Sequence, residues 1–136
     1  MNLEEIQAFG TAYTAAWNSG EPGAVAAFFE PSGSLKVNEA EPAVGREAVA
    51  QVAEGFMTAF PDMVLTMDSV RLTEAGAEYH WTFEGTNTGP GGSGNRVKFS
   101  GYEEWTLSEA GLVARSLGSF DEAEYHRQLH FGIEGR

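Results

Sequence analysis

Ala77-Glu78-Tyr79-His80-Trp81-Thr82-Phe83-Glu84-Gly85-Thr86-Asn87 alternates small or aromatic residues with polar ones, and Val97-Lys98-Phe99-Ser100-Gly101-Tyr102-Glu103-Glu104-Trp105-Thr106-Leu107 repeats the pattern after a glycine-rich break. A period of two is the signature of strands with one face on a core. Working outward, residues 63 to 73 and 112 to 119 carry the same signal. Glu74-Ala75-Gly76 and Ser108-Glu109-Ala110-Gly111 are compact turns between them, so four long strands follow one another as hairpins. Residues 89 to 94 lack the consecutive Lys-Ser/Thr pair of a phosphate loop and join strand to strand, which reads as a flexible rim loop, or in a functional version as a lid.

Upstream the period changes to that of helices. Ile6, Phe9, Tyr13 and Trp17 form one stripe, and Asn2 with Glu5 three residues on makes a capping box. Pro22 starts a short second helix carrying Val25, Phe28 and Phe29, which stops near Pro31 and Gly33. Ser34 to Asn38 reads as a short strand, followed by a loop through Glu39, Glu41 and Pro42. Val49, Val52, Phe56 and Phe60 stripe a third helix that Pro61 closes, and Asp121 begins a C-terminal helix running to His130. Helices followed by a meandering sheet make an α+β domain, with the sheet curling over the helices to leave a concavity.

The 136 residues, with 42% hydrophobic side chains and nine Phe, suit one domain spanning 1–136, with apolar material for a core and a lined pocket. Twenty acidic against eight basic side chains give a net charge of −12, which argues against nucleic-acid binding. No apolar run is long enough to span a bilayer, and Met1 to Glu5 lacks the features of a signal peptide, so the expectation is a cytoplasmic protein with no membrane partner. With no cysteine, the chemistry falls to carboxylates, hydroxyls and imidazoles. Ile133-Glu134-Gly135-Arg136 spells a protease recognition sequence of the kind appended to recombinant proteins, and reads equally as native or as an appended tail.

Trp81 to Gly89, Ser100-Gly101-Tyr102-Glu103-Glu104-Trp105, Gly111-Leu112-Val113 and Phe120-Asp121 with Tyr125-His126-Arg127-Gln128-Leu129 together resemble the SnoaL-like polyketide cyclases of the NTF2-like superfamily. That likeness implies a cone: a curved mixed or antiparallel sheet wrapped on an N-terminal helical hairpin and a third helix, with a C-terminal helix. It also implies a homodimer, a small apolar ligand, no metal and no organic cofactor. An aspartate shortly before an Arg-Gln-Leu segment serves as general acid/base for aldol closure in those cyclases, and Asp121 stands at the matching position. The other reading of Asp121 is a helix cap, an arrangement that favours the ionised form.

Other residues carry paired readings. Glu103 falls in the apolar row of its strand, where it either lines a working site, bonds a tyrosine or lies on a dimer surface. Tyr13 is either a donor to a developing enolate or a core tyrosine. Trp17, Phe56, Trp81 and Trp105 are expected to shape the pocket. His80 falls opposite Tyr79, Trp81 and Phe83, which assigns it to the outer face. Asn38 sits near where ketosteroid isomerases of this fold place a basic aspartate, and an amide is no base. Glu122, His126 and His130 share a helix face and read as a solvated surface before they read as a metal site. A third reading, epoxide opening, pairs Arg115 with Asp121, with Asp68 the only strand candidate for the second aspartate it needs. The alternative function is a non-catalytic domain that binds a hydrophobic molecule or dimerises.

Overall fold

The computed structural model describes residues 1–134, so Gly135 and Arg136 of the terminal run lie outside the described residues. Helix α1 (Leu3–Asn18) starts at the capping box: Asn2 Oδ1 accepts from the Glu5 amide at 2.8 Å, and Glu5 Oε1 accepts from the Asn2 amide at 3.0 Å. A short α2 (Pro22–Ala26) has Pro at its first turn. Strand β1 (Phe29–Val37) and a two-residue β2 (Ala43–Val44) precede α3 (Arg46–Ala59). Strands β3 (Val64–Leu72), β4 (Gly76–Thr86), β5 (Arg96–Leu107) and β6 (Val113–Phe120) follow as hairpins, and α4 (Glu122–Phe131) ends the fold. The sheet order is β2-β1-β6-β5-β4-β3, antiparallel except where β1 runs parallel to β6. The curved sheet does not close on itself.

Three details depart from the sequence expectation. Phe28 and Phe29 leave the second helix, because the Phe28 carbonyl accepts from the Val113 amide at 2.9 Å and Phe29 pairs with Val113 at the start of β1. Two adjacent aromatics fit a helix or a strand, and the long-range pairing decides between them. Pro31, expected to break the chain, falls in the irregular stretch between Phe29 and Ser34, where a missing N–H is tolerated. The loop after Val37 also turns back as β2 against Ser34 and Leu35.

Alternation sorts the sheet as expected. Tyr79, Trp81 and Phe83 of β4 and Val97, Phe99, Glu103 and Trp105 of β5 are buried, with Tyr79 and Trp105 against Tyr13 of α1, Phe83 against Phe56 of α3 and Phe99 against Tyr125 of α4. His80 lies on the other face, stacked on Tyr102 at 5.4 Å and bonded to Glu78 at 2.7 Å. The deepest part of the core is aromatic: Tyr79 stacks on Trp105 at 4.9 Å, and Tyr13 meets both edge-on at 5.4 and 5.2 Å.

Gly101 is what lets Trp81 lie flat across the sheet. It pairs with Trp81 in register, and a Cβ there would stand 2.6 Å from Trp81 Cζ2 and 2.4 Å from the Ser119 carbonyl oxygen. The second contact is backbone and cannot swing aside. Gly101→Ala is therefore expected to lower stability by about 1–3 kcal/mol, read as a lower urea midpoint at unchanged m-value.

Candidate functional site

Between the helices and the inner sheet face lies a cavity of about 60 Å³. Trp17 of α1 and Phe56 of α3 form one wall, Trp81, Phe83 and Phe99 the sheet side, and Phe120 of β6 one margin. Leu35, Val37, Val52 and Leu65 fill the gaps between them, and Gly118 leaves room. Among the described residues lining this cavity only one carries a carboxylate, and it is Glu103.

Glu103 is 7% exposed and receives hydrogen bonds from three elements. The Tyr13 hydroxyl of α1 donates at 3.0 Å to Oε1 and 3.2 Å to Oε2, Trp105 Nε1 of β5 donates at 2.9 Å to Oε1, and Ser116 Oγ of β6 donates at 2.7 Å to Oε1. Burial pushes the Glu103 carboxyl above the usual carboxylate range, although each of the three donors pulls the other way. Among the described residues no cationic side chain lines the cavity to offset the charge. Oε1 is crowded with donors. Oε2 has only the longer Tyr13 contact, which leaves it the oxygen with free lone pairs.

Tyr13 is fully buried, and burial first and the Glu103 charge second hold its hydroxyl well above the usual tyrosine range, so it stays protonated as a donor. The Trp17 indole approaches that hydroxyl closely enough to favour the phenolate a little, yet Trp17 Nε1 forms no hydrogen bond of ordinary geometry.

The fold thus brings together Trp17, Phe56, Trp81 and Glu103 around one space, with Tyr13 and Trp105 behind them as donors to Glu103. Asp121 is not among them. It caps α4, its Oδ1 accepting from the Glu124 amide at 3.0 Å, and it is exposed. The carboxylate in the cavity is instead the one from the apolar row of β5. Asp121→Ala should cost about 1 kcal/mol of stability, and Asp121→Asn, which caps as well, should restore most of it; paired thermal melts check this.

Asn38 ends β1 in a left-handed turn (φ 52°), and its Oδ1 accepts from the Phe120 amide at 2.9 Å. Asp68 and Arg115 are exposed, and neither lines the cavity. Glu122, His126 and His130 are exposed on α4, and among the described residues no group of three His, Asp or Glu side chains is placed to hold a metal. No helix among the described residues is long and apolar enough to cross a membrane.

Ser116 is the site residue that the sequence concealed. A β-bulge hides it: Leu107 pairs with Val113, but Thr106 pairs with Arg115, leaving Ala114 as an extra residue on β6. Past that bulge Gly118 faces Glu103 and Ser116 faces Trp105, so the serine joins the inner row. Without the extra residue, Arg115 and Leu117 would take the inner positions.

The SnoaL-like polyketide cyclase family model matches residues 7–129, and the chain belongs to that family. Solved structures share its fold. TsrD from Streptomyces laurentii superposes with a TM-score of 0.80 at 22% identity, covering 95% of this chain and 97% of that one. AclR from Streptomyces galilaeus, described as a putative hydroxylase, gives 0.78 at 23% identity over 94% and 82%. SalBIII, an epoxide hydrolase/cyclase-like enzyme with a role in pyran ring formation in the polyether salinomycin, gives 0.74 at 18% identity over 90% and 96%. No curated protein matches the chain by sequence.

Proposed function

We propose that the protein is a cyclase-type enzyme that moves a proton on a small apolar carbonyl compound, with Glu103 as general acid/base. The observation that carries this reading is a buried carboxylate, with no cation lining the cavity beside it among the described residues, bordering an otherwise apolar cavity. Glu103 Oε2 takes a proton from a carbon next to a carbonyl, and the C–H electron pair becomes the enolate. In an aldol closure that enolate carbon bonds to a second carbonyl carbon, and the resulting alkoxide takes the proton back from Glu103. Atoms and charge balance without a further reactant. Tyr13, Trp105 and Ser116 hold the carboxylate in one orientation, and the aromatic walls exclude water that would quench the enolate.

The test is deuterium uptake from D2O at the carbon between the carbonyls of ethyl 2-methylacetoacetate, followed by proton NMR. Wild type should exceed the buffer rate and Glu103→Gln should not. An exchange rate unchanged in that variant sinks the reading.

A second reading has its own support. Oε1 is saturated with donors and among the described residues no other titratable group lines the cavity, as would suit a pocket that only binds its ligand. Under that reading the β-keto ester binds but its exchange never exceeds the buffer rate.

A further inference from the structure

Among the described residues, two buried side-chain N–H groups have no hydrogen-bond partner: Nδ2 of Asn38 and Nε1 of Trp17. Asn38 does not line the cavity, whereas Trp17 does, and Trp17 is 8% exposed. An unmade hydrogen bond in a dry interior is costly, so a donor left in this state is expected to meet an acceptor supplied from elsewhere. The protein offers Trp17 little. Its ring packs edge-on to Tyr13 at 6.5 Å and to Phe56 at 6.2 Å. The Tyr13 hydroxyl, which donates to Glu103 and still has lone pairs to offer, is approached by the indole, but outside hydrogen-bond geometry. Because Tyr13 bridges the two groups, the indole N–H and the Glu103 carboxylate belong to the same end of the cavity.

We propose that the Trp17 indole N–H is the donor that holds a ligand's carbonyl oxygen, so that the cavity selects neutral ketones and esters over hydrocarbons of the same shape and over carboxylates. The preference over hydrocarbons follows from the unpaired donor. The preference over acids follows from the surroundings, since Glu103 lines the cavity without any Lys, Arg or His among the described residues, and a second carboxylate would meet it unscreened. The inference rests on the cavity being the working site. On that basis Trp17 also touches the reacting group: with Glu103 at the α-carbon, the N–H faces the oxygen on which the enolate charge collects. Tyr13, the sequence candidate for this task, is occupied in holding Glu103.

Nitrogen-15-labelled protein carries three indole N–H signals, one per tryptophan. The Trp17 signal is identified by its loss in Trp17→Phe, which removes the donor and keeps an aromatic ring. Cyclohexanone is expected to move the Trp17 signal downfield, and methylenecyclohexane, its hydrocarbon isostere, is not. Trp17→Phe should weaken cyclohexanone binding about five- to tenfold while changing methylenecyclohexane binding less than twofold. Cyclohexanecarboxylate should not compete with either at neutral pH. An equal response of Trp17 to ketone and hydrocarbon overturns the proposal, as does carboxylate binding at ketone affinity, or no binding of cyclohexanone at all. The two levels fail separately. A ketone-specific Trp17 shift with Glu103-independent exchange removes the catalytic reading and leaves this one. Glu103-dependent exchange with an unmoved Trp17 signal does the reverse.

Discussion

Glu103→Gln is expected to slow enzyme-dependent deuterium exchange by about 10²- to 10⁴-fold, the usual loss when a positioned general base is removed. Glutamine suits the comparison because its carbonyl oxygen can keep accepting from Trp105 Nε1 and Ser116 Oγ, so the network survives while the base is lost. Ligand binding should change little, which places the loss in the chemical step. Wild-type exchange should also climb with pH, because only the ionised carboxylate accepts a proton. Burial has raised the Glu103 carboxyl, so the climb should fall above the ordinary glutamate range.

The same shift has an opposite effect on stability. Between the ordinary glutamate range and the raised folded-state value, the native protein keeps a proton that the unfolded chain has released. Raising the pH through that window therefore favours unfolding. Urea titrations at a series of pH values should show stability falling across the window where exchange rises, and Glu103→Gln should flatten that part of the profile. A profile identical in the variant would show that Glu103 is not the titrating group.

The largest stability effect is expected from Tyr13→Ala, at about 3–5 kcal/mol. Tyr13 is fully buried and packs edge-on against Trp17, Phe28, Tyr79 and Trp105, so truncation opens a void at the junction of α1 with the sheet. It also removes a donor from a buried carboxylate. Tyr13→Phe separates the two contributions: it keeps the ring and deletes the hydroxyl, and should cost about 1–3 kcal/mol by itself. Chemical denaturation of both variants checks this, and equal costs would mean that the ring's packing matters less than the hydroxyl.

Much of the fold was legible because its information is local. The period of two in residues 77 to 87 and 97 to 107 assigns Tyr79, Trp81, Phe83, Phe99, Glu103 and Trp105 to one face, and that face is buried. The capping box at Asn2 and the stripe through Tyr13 and Trp17 likewise place α1 without reference to the rest of the chain. Glu103 could be picked out as a carboxylate in an apolar row. The sequence did not say which of two carboxylates would border the cavity, since Asp121 precedes a helix and the family position alone favoured it.

Sequence by itself determined the main helices and the four long strands, the inner and outer faces of the central strands, and the resemblance to the SnoaL-like family, all read from patterns along the chain. Tertiary structure decided what depends on closure over long separations. The parallel pairing of β1 with β6 drew Phe29 out of a helix, and the bulge at Ala114 turned Ser116 inward to Glu103. The Asp121 carboxylate, by contrast, turned to the Glu124 amide and solvent. A one-residue slip exchanges every inner side chain for its outer neighbour, and no local periodicity carries that parity across a bulge. The site is therefore written in sequence as residue types, and becomes a site only when the register aligns Tyr13, Glu103, Trp105 and Ser116 from three separate elements.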